Sequence, residues 1–254
     1  MPFALDSFLM LLGRLSGLFI SAPIFASKQI PIRIKILIII LLAAIMSGYA
    51  PVKYALPVNN PATTIAAIVV EIFVGYCIGF VAYVIFTAIQ LAGQLMDMQM
   101  GFGVVNVLDP QSGMQVPMMG NFSYLLTLFT YLVMDGHHYL LEAVVQSYQV
   151  IPVLGANLGG DFTELMVRLT TYMFVIAVKI SAPVVLAILI ADISTGFIAR
   201  TVPQMNVFMV GMPLKIFIGF MAITLLMTVY VWFMGVMMGK MLDYLDLLLL
   251  TIGM

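Results

Sequence analysis

The sequence predicts an all-α protein of the integral membrane type, built from long helical hairpins with interrupted helices. Three observations lead there. Of the 254 residues, 63% are hydrophobic and only 8% are charged, where a soluble domain carries roughly 25% charged residues. The mean hydropathy is +1.16. The apolar residues gather in long runs separated by prolines and short polar connections. Backbone amides inside hydrocarbon must bond within their own segment, so these runs are expected to be helices.

Seven runs carry the pattern, at about 8–26, 36–50, 62–92, 118–134, 139–151, 165–191 and 207–238. The first has no basic region ahead of it and carries Arg14 inside, so it is expected to be a retained helix and not a cleaved signal peptide. The run at 62–92 would make a helix of about 45 Å, beyond the roughly 30 Å hydrocarbon core, so it must tilt, bend or leave the bilayer. The runs at 36–50 and 139–151 are short for a span, which points to burial against other protein. Pro31, Pro51, Pro57, Pro61, Pro110, Pro117, Pro152 and Pro203 mark expected helix boundaries. Lys28, Arg33 and Lys35 share the first connection, which the positive-inside rule places in the cytoplasm with the amino terminus outside. With no internal repeat and no low-complexity tract, 1–254 reads as one domain.

Ten basic and eleven acidic residues give a net charge of -1, and no basic patch is long enough to follow a phosphate backbone, so nucleic acid is not an expected partner. The lone Cys77 cannot form an internal disulfide. No nucleophile motif and no glycine-rich phosphate loop is present, so neither an enzyme nor a cofactor is expected. His137 and His138 follow Asp135. Adjacent residues point to different sides of a helix, no Cys is near and no third His exists, so a polar helix end is expected there and not a metal site.

Charges inside the apolar runs carry more information: Arg14, Glu71, Lys179, Asp192, Arg200 and Lys215. An ionisable group at membrane depth is costly unless paired or wet, so each is a candidate for an interhelical or intersubunit salt bridge, with a proton relay as the alternative. Glycines recur four apart at Gly13 and Gly17, Gly75 and Gly79, and Gly235 and Gly239, a spacing that lets helix backbones approach closely.

The stretch GQLMDMQMGFGVVNVLDPQSGMQVPMM at 93–119 interrupts this apolar chain with Asp97, Gln99, Asn106, Asp109 and Gln111. Gly101 and Gly103 are expected to end the preceding helix, Asp109–Pro110 to turn, and Gly113 with Pro117 to close the excursion. Irregular backbone at membrane depth is tolerated only where it is buried in protein or lines an aqueous cavity. A hydrophobic loop in such a cavity has the shape of a plug. Of the 22 methionines, most are expected to be helix filler. Met96, Met98, Met100, Met118 and Met119 bracket this stretch, where flexible, polarizable side chains make a candidate gasket.

Four blocks carry a family resemblance: SAPIFASKQIPIRIKI at 21–36, GQLMDMQMGFGVVNVLDPQSGMQVP at 93–117, DGHHYLL at 135–141 and TVPQMNVFMVGMPLKIFIG at 201–219. Through them the chain closely resembles the FliR/SctT family of type III protein export gates over essentially its whole length. The resemblance implies a non-enzymatic subunit that packs with FliP and FliQ in a helical hetero-oligomeric gate, contacts FlhB and works with FlhA. It implies a pore in the bacterial inner membrane, within the flagellar basal body and partly raised toward the periplasm, through which unfolded flagellar proteins pass. The family's loop after the Gln-Met-Gly run plugs the closed channel. Carried onto this chain it covers 102–116, with Phe102, Val104, Val105, Asn106, Val107, Leu108 and Met114 as plug residues. A single export-gate domain without an FlhB extension is expected. The QMGFGVVNVLDPQSG and VPQMNVFMVGMP blocks look flagellar, with the injectisome SctT role as the alternative and a small-molecule secondary transporter, which would show inverted repeats, more distant.

Overall fold

The computed structural model describes residues 2–48, 61–102, 117–202, 204 and 206–253. The expected plug residues Val104, Val105, Asn106, Val107, Leu108 and Met114 lie outside these, as do the expected boundaries at Pro51, Pro57, Pro110 and Pro203. Among the described residues all extended regular structure is helical, with no strand. The elements are α1 (Pro2–Ser21), α2 (Ile32–Met46), α3 (Pro61–Met100), α4 (Met118–Val133), α5 (Gly136–Val150), α6 (Gly160–Thr201) and α7 (Val207–Gly253).

Proline sets several of these boundaries, because it lacks the N–H that a helix interior needs but not the one a first turn leaves unused. Pro31 precedes α2, Pro61 opens α3, Pro117 precedes α4 and Pro152 follows α5. The first helix stops at Ser21, five residues short of the apolar run, where Pro23 and a left-handed Ile24 (φ 66°) turn the chain. Other helices overrun their apolar cores. At 40 residues α3 is about 60 Å long, and α6 and α7 continue through Pro183 and Pro213 to 42 and 47 residues. By length and composition, Ala62–Met100, Gly160–Thr201 and Met209–Gly253 can each cross a membrane.

The chain divides into two compact units: Met1–Ile85, Tyr131–Thr170 and Met237–Met254 form the first, and Phe86–Thr130 with Thr171–Val236 the second. In the first unit α1 lies on the amino-terminal part of α3, and the expected glycine pairs meet there. A Cβ on Gly17 would run into the Ile72 carbonyl, and one on Gly75 into the Arg14 carbonyl. Without those Cβ atoms the two backbones touch. Where lipid competes as well as leucine for apolar surface, such van der Waals contact is what holds helices together. Leu11, Leu15 and Leu18 of α1 and Val74 and Ile78 of α3 are buried.

In the second unit Met96, Met100, Met119, Val184 and Ile188 form a buried core, with Ile180, Ile223 and Leu226 packed on it. Met100 lies across Gly219, where a Cβ would come within 2.6 Å of its Cε. The third glycine pair behaves differently from the first two: Gly239 faces open space.

Two substitutions separate these roles. Gly75→Val should lower the unfolding free energy of the detergent-purified chain by at least about 2 kcal/mol, since it forces the α1 and α3 backbones apart. Gly239→Ala should change it by less than about 0.5 kcal/mol. Equal losses from both would remove the α1–α3 contact from its structural role.

Candidate functional site

The described parts of the central polar stretch are its two ends, and Asp97 joins them. The last turn of α3 closes in a Schellman arrangement. Gly101 adopts φ 89°, Phe102 N–H donates to the Asp97 carbonyl (3.1 Å) and Gly101 N–H to the Met98 carbonyl (3.4 Å). Only glycine takes that φ without strain. The Asp97 side chain then reaches the start of α4, accepting from Met119 N–H at Oδ1 (2.9 Å) and from Gly120 N–H at Oδ2 (3.0 Å). Asp97 is buried at 5% exposure.

This is a long-range N-cap. Residues 116–118 are Val, Pro and Met, none with a side chain that can cap α4. The first N–H groups of a helix have no intrahelical partner and carry partial positive charge, which an acidic side chain satisfies on both counts. Gly93, one turn before Asp97, permits the approach. A Cβ there would meet the Met119 carbonyl at 2.5 Å and Gly120 Cα at 2.6 Å. The end of α3 and the start of α4 are therefore joined through one carboxylate.

The expected gasket methionines separate into two groups. Met96, Met100 and Met119 belong to the core beneath this point, and Met96 also lines a cavity of about 50 Å³ with Leu126, Val184, Ile223 and Tyr230. Met98 and Met118 are exposed, at 71% and 59%. Phe102, the one described residue of the expected plug, sets its ring edge-on to Phe220 with centroids 6.5 Å apart.

The charges singled out in the apolar sequence also separate. Arg14 and Glu71 are both fully buried and paired fork to fork, Nε to Oε2 at 2.6 Å and Nη2 to Oε1 at 3.0 Å. Tyr148 Oη donates to Glu71 Oε2 at 2.8 Å, and Arg14 Nη1 donates to Ser147 Oγ at 2.6 Å, which itself donates to the Val144 carbonyl. The guanidinium plane lies 3.6 Å from the centroid of the Tyr148 ring. Both Glu71 oxygens are thus engaged by fixed protein donors, which supports pairing over proton relay. Lys215 Nζ meets Asp192 Oδ1 at 2.7 Å between α7 and α6, partly exposed. Lys179 and Arg200 are exposed and have no ion-pair partner among the described residues. Sequence reasoning missed Asp97, Ser147 and Tyr148 as partners; for Asp97 the signal was a helix start with no cap of its own.

Comparison with known proteins places this architecture. The family described as bacterial export proteins, family 1, matches residues 5–241. The flagellar biosynthetic protein FliR of Bacillus subtilis (strain 168) is 37% identical over 226 residues, 88% of this chain and 86% of the relative. FliR of Escherichia coli (strain K12) is 26% identical over 84% of this chain and 81% of its own length. FliR of Aquifex aeolicus (strain VF5) is 28% identical over the same shares.

Two predictions follow from the geometry. Arg14→Met or Glu71→Met alone should cost about 3–5 kcal/mol by stranding a buried charge, while the double variant should cost less than either. Denaturant titration in detergent reads this out, and additive losses would mean the two do not act as a pair. Asp97→Ala should cost about 2 kcal/mol and raise proteolytic nicking within 103–116; unchanged protection would show that the ends are held by something else.

Proposed function

The chain belongs to family 1 of the bacterial export proteins, and from that premise we propose that it is a non-enzymatic subunit of the flagellar type III export gate. With FliP and FliQ it forms the pore through which unfolded flagellar proteins cross the inner membrane.

One observation carries the reading. The apolar helix Met209–Gly253 has 45 residues, about 68 Å, and only 6% of its most apolar window is buried within the chain. The hydrocarbon core covers about 30 Å of such a helix. Beyond that, the carboxy-terminal part is covered within the chain, where Met234, Met241, Leu245, Leu248 and Ile252 are buried, and the exposed remainder ahead of it needs a neighbouring protein. The same holds for α2, where only Ala43 and Met46 are buried while Ile32, Leu37, Leu41 and Ile45 are exposed. A hetero-oligomeric gate, partly raised from the bilayer and touching FlhB and FlhA, supplies that cover. Lys179 and Arg200 then have partners in neighbouring subunits. The relatives reported above carry flagellar names, which supports the flagellum over the injectisome.

The segment at 103–116, together with Phe102, acts as the plug. Asp97 ties the helix ends on either side of it, so it can be displaced without the helices parting. Met98 and Met118, exposed at its root, close around it, while Met96, Met100 and Met119 hold the root in place. The chain supplies a gated path and no chemistry; the driving energy comes from the export ATPase and the proton gradient acting through other subunits.

Deleting residues 104–107 from the assembled gate should let ions leak through it while the complex still forms, as read by conductance or by ion sensitivity of cells. A correctly assembled deletion variant that stays ion-tight would take this segment out of the seal.

A further inference from the structure

We propose that Asp135, His137 and His138, at the turn between α4 and α5, form a binding site for one divalent transition-metal ion of the zinc class. The spacing of these residues argues against a site, since neighbours on a helix diverge. The structure brings them together. One ligand atom from each of the three lies within 4.8 Å of the other two. The two imidazole rings sit 4.1 Å apart between centroids, and His138 Nδ1 is 3.4 Å from Asp135 Oδ1. That second distance is the edge of a tetrahedron with bonds of about 2.1 Å, the length of zinc–nitrogen and zinc–carboxylate bonds.

The turn is held in shape independently of any metal. Asp135 takes the left-handed conformation (φ 56°) at the α5 N-cap, and its carbonyl accepts from His138 N–H at 2.9 Å. Gly136 is wedged so tightly that a Cβ would overlap the Tyr131 ring and the Met238 methyl. His137 Nδ1 is enclosed and has no hydrogen-bond partner among the described residues, so one of the two imidazoles carries an unanswered polar atom. Asp135 and His138 are open to solvent, with side chains about two-thirds exposed, 67% and 68%, so an ion can enter. Two imidazoles and a carboxylate favour zinc, nickel or copper over magnesium or calcium, and three protein donors leave one position for water or a neighbouring side chain. This inference does not depend on the export reading.

The test uses the full-length chain in detergent with a histidine-free tag, titrated with Zn2+ by calorimetry and with Co2+ by visible absorption. Both of the chain's histidines lie in this cluster, so a histidine-dependent signal reports it alone. One equivalent should bind, with Co2+ giving the intense visible bands of a four-coordinate ion. Asp135→Asn and His138→Ala should each weaken binding at least about tenfold. Asparagine tolerates the left-handed backbone, so Asp135→Asn keeps the turn even where a histidine variant does not. No stoichiometric binding by the unaltered chain, or a folded Asp135→Asn chain that binds as tightly, would overturn the assignment.

Discussion

In a chain this poor in charge, every buried ionisable group and every orphaned backbone N–H must be answered by another protein group, because neither lipid nor bulk water is there to do it. That constraint selects the two arrangements on which the two units are built. In one, the Arg14 guanidinium is shared among Glu71, Ser147 and the Tyr148 ring, which ties α1 to α3 and α5 at a single buried point. In the other, the Asp97 side chain answers the first N–H groups of α4. Stranding one member of the first arrangement costs several kcal/mol, a large part of a marginal folding free energy. Glycine is the enabling residue both times: Gly75 and Gly17 for the charge pair, Gly93 for the cap.

The helices were legible from apolar runs because hydrocarbon leaves the backbone so little choice. Their ends were less so. The third apolar run closes at Ala92, and α3 continues beyond it to the Met100 end that Gly101 and Gly103 predicted; the partners that Asp97 finds on α4 were not legible. In the same way α7 runs on to Gly253 through Lys240 and Asp243, which pair with each other on its exposed side. Composition marked the six charges as needing answers but held no information on who answers, since that is decided by which helices cross. Two of the pairs form within the chain, and Lys179 and Arg200 point out of it. The methionines near the central stretch looked alike in sequence; burial alone divides Met96, Met100 and Met119 from Met98 and Met118.

These pieces bear on one another through the segment 103–116. In the proposed gate, one carboxyl group holds the end of α3 to the start of α4 on either side of that segment, so the helices stay joined whatever a seal between them does. The exposed apolar length of α2 and α7 bears on the same point from outside, since a seal of this kind has meaning only inside an assembly that surrounds it. The metal site proposed at Asp135, His137 and His138, on the turn between α4 and α5, is argued independently of the gate.

The most direct test of the gate account is to co-express this chain with FliP and FliQ from the same organism, purify through a tag on this chain and image the particles. The account predicts a stoichiometric complex in which residues 101–117 face a central pore, rooted at Asp97. A chain that purifies alone, with that stretch packed between its own helices, would contradict it.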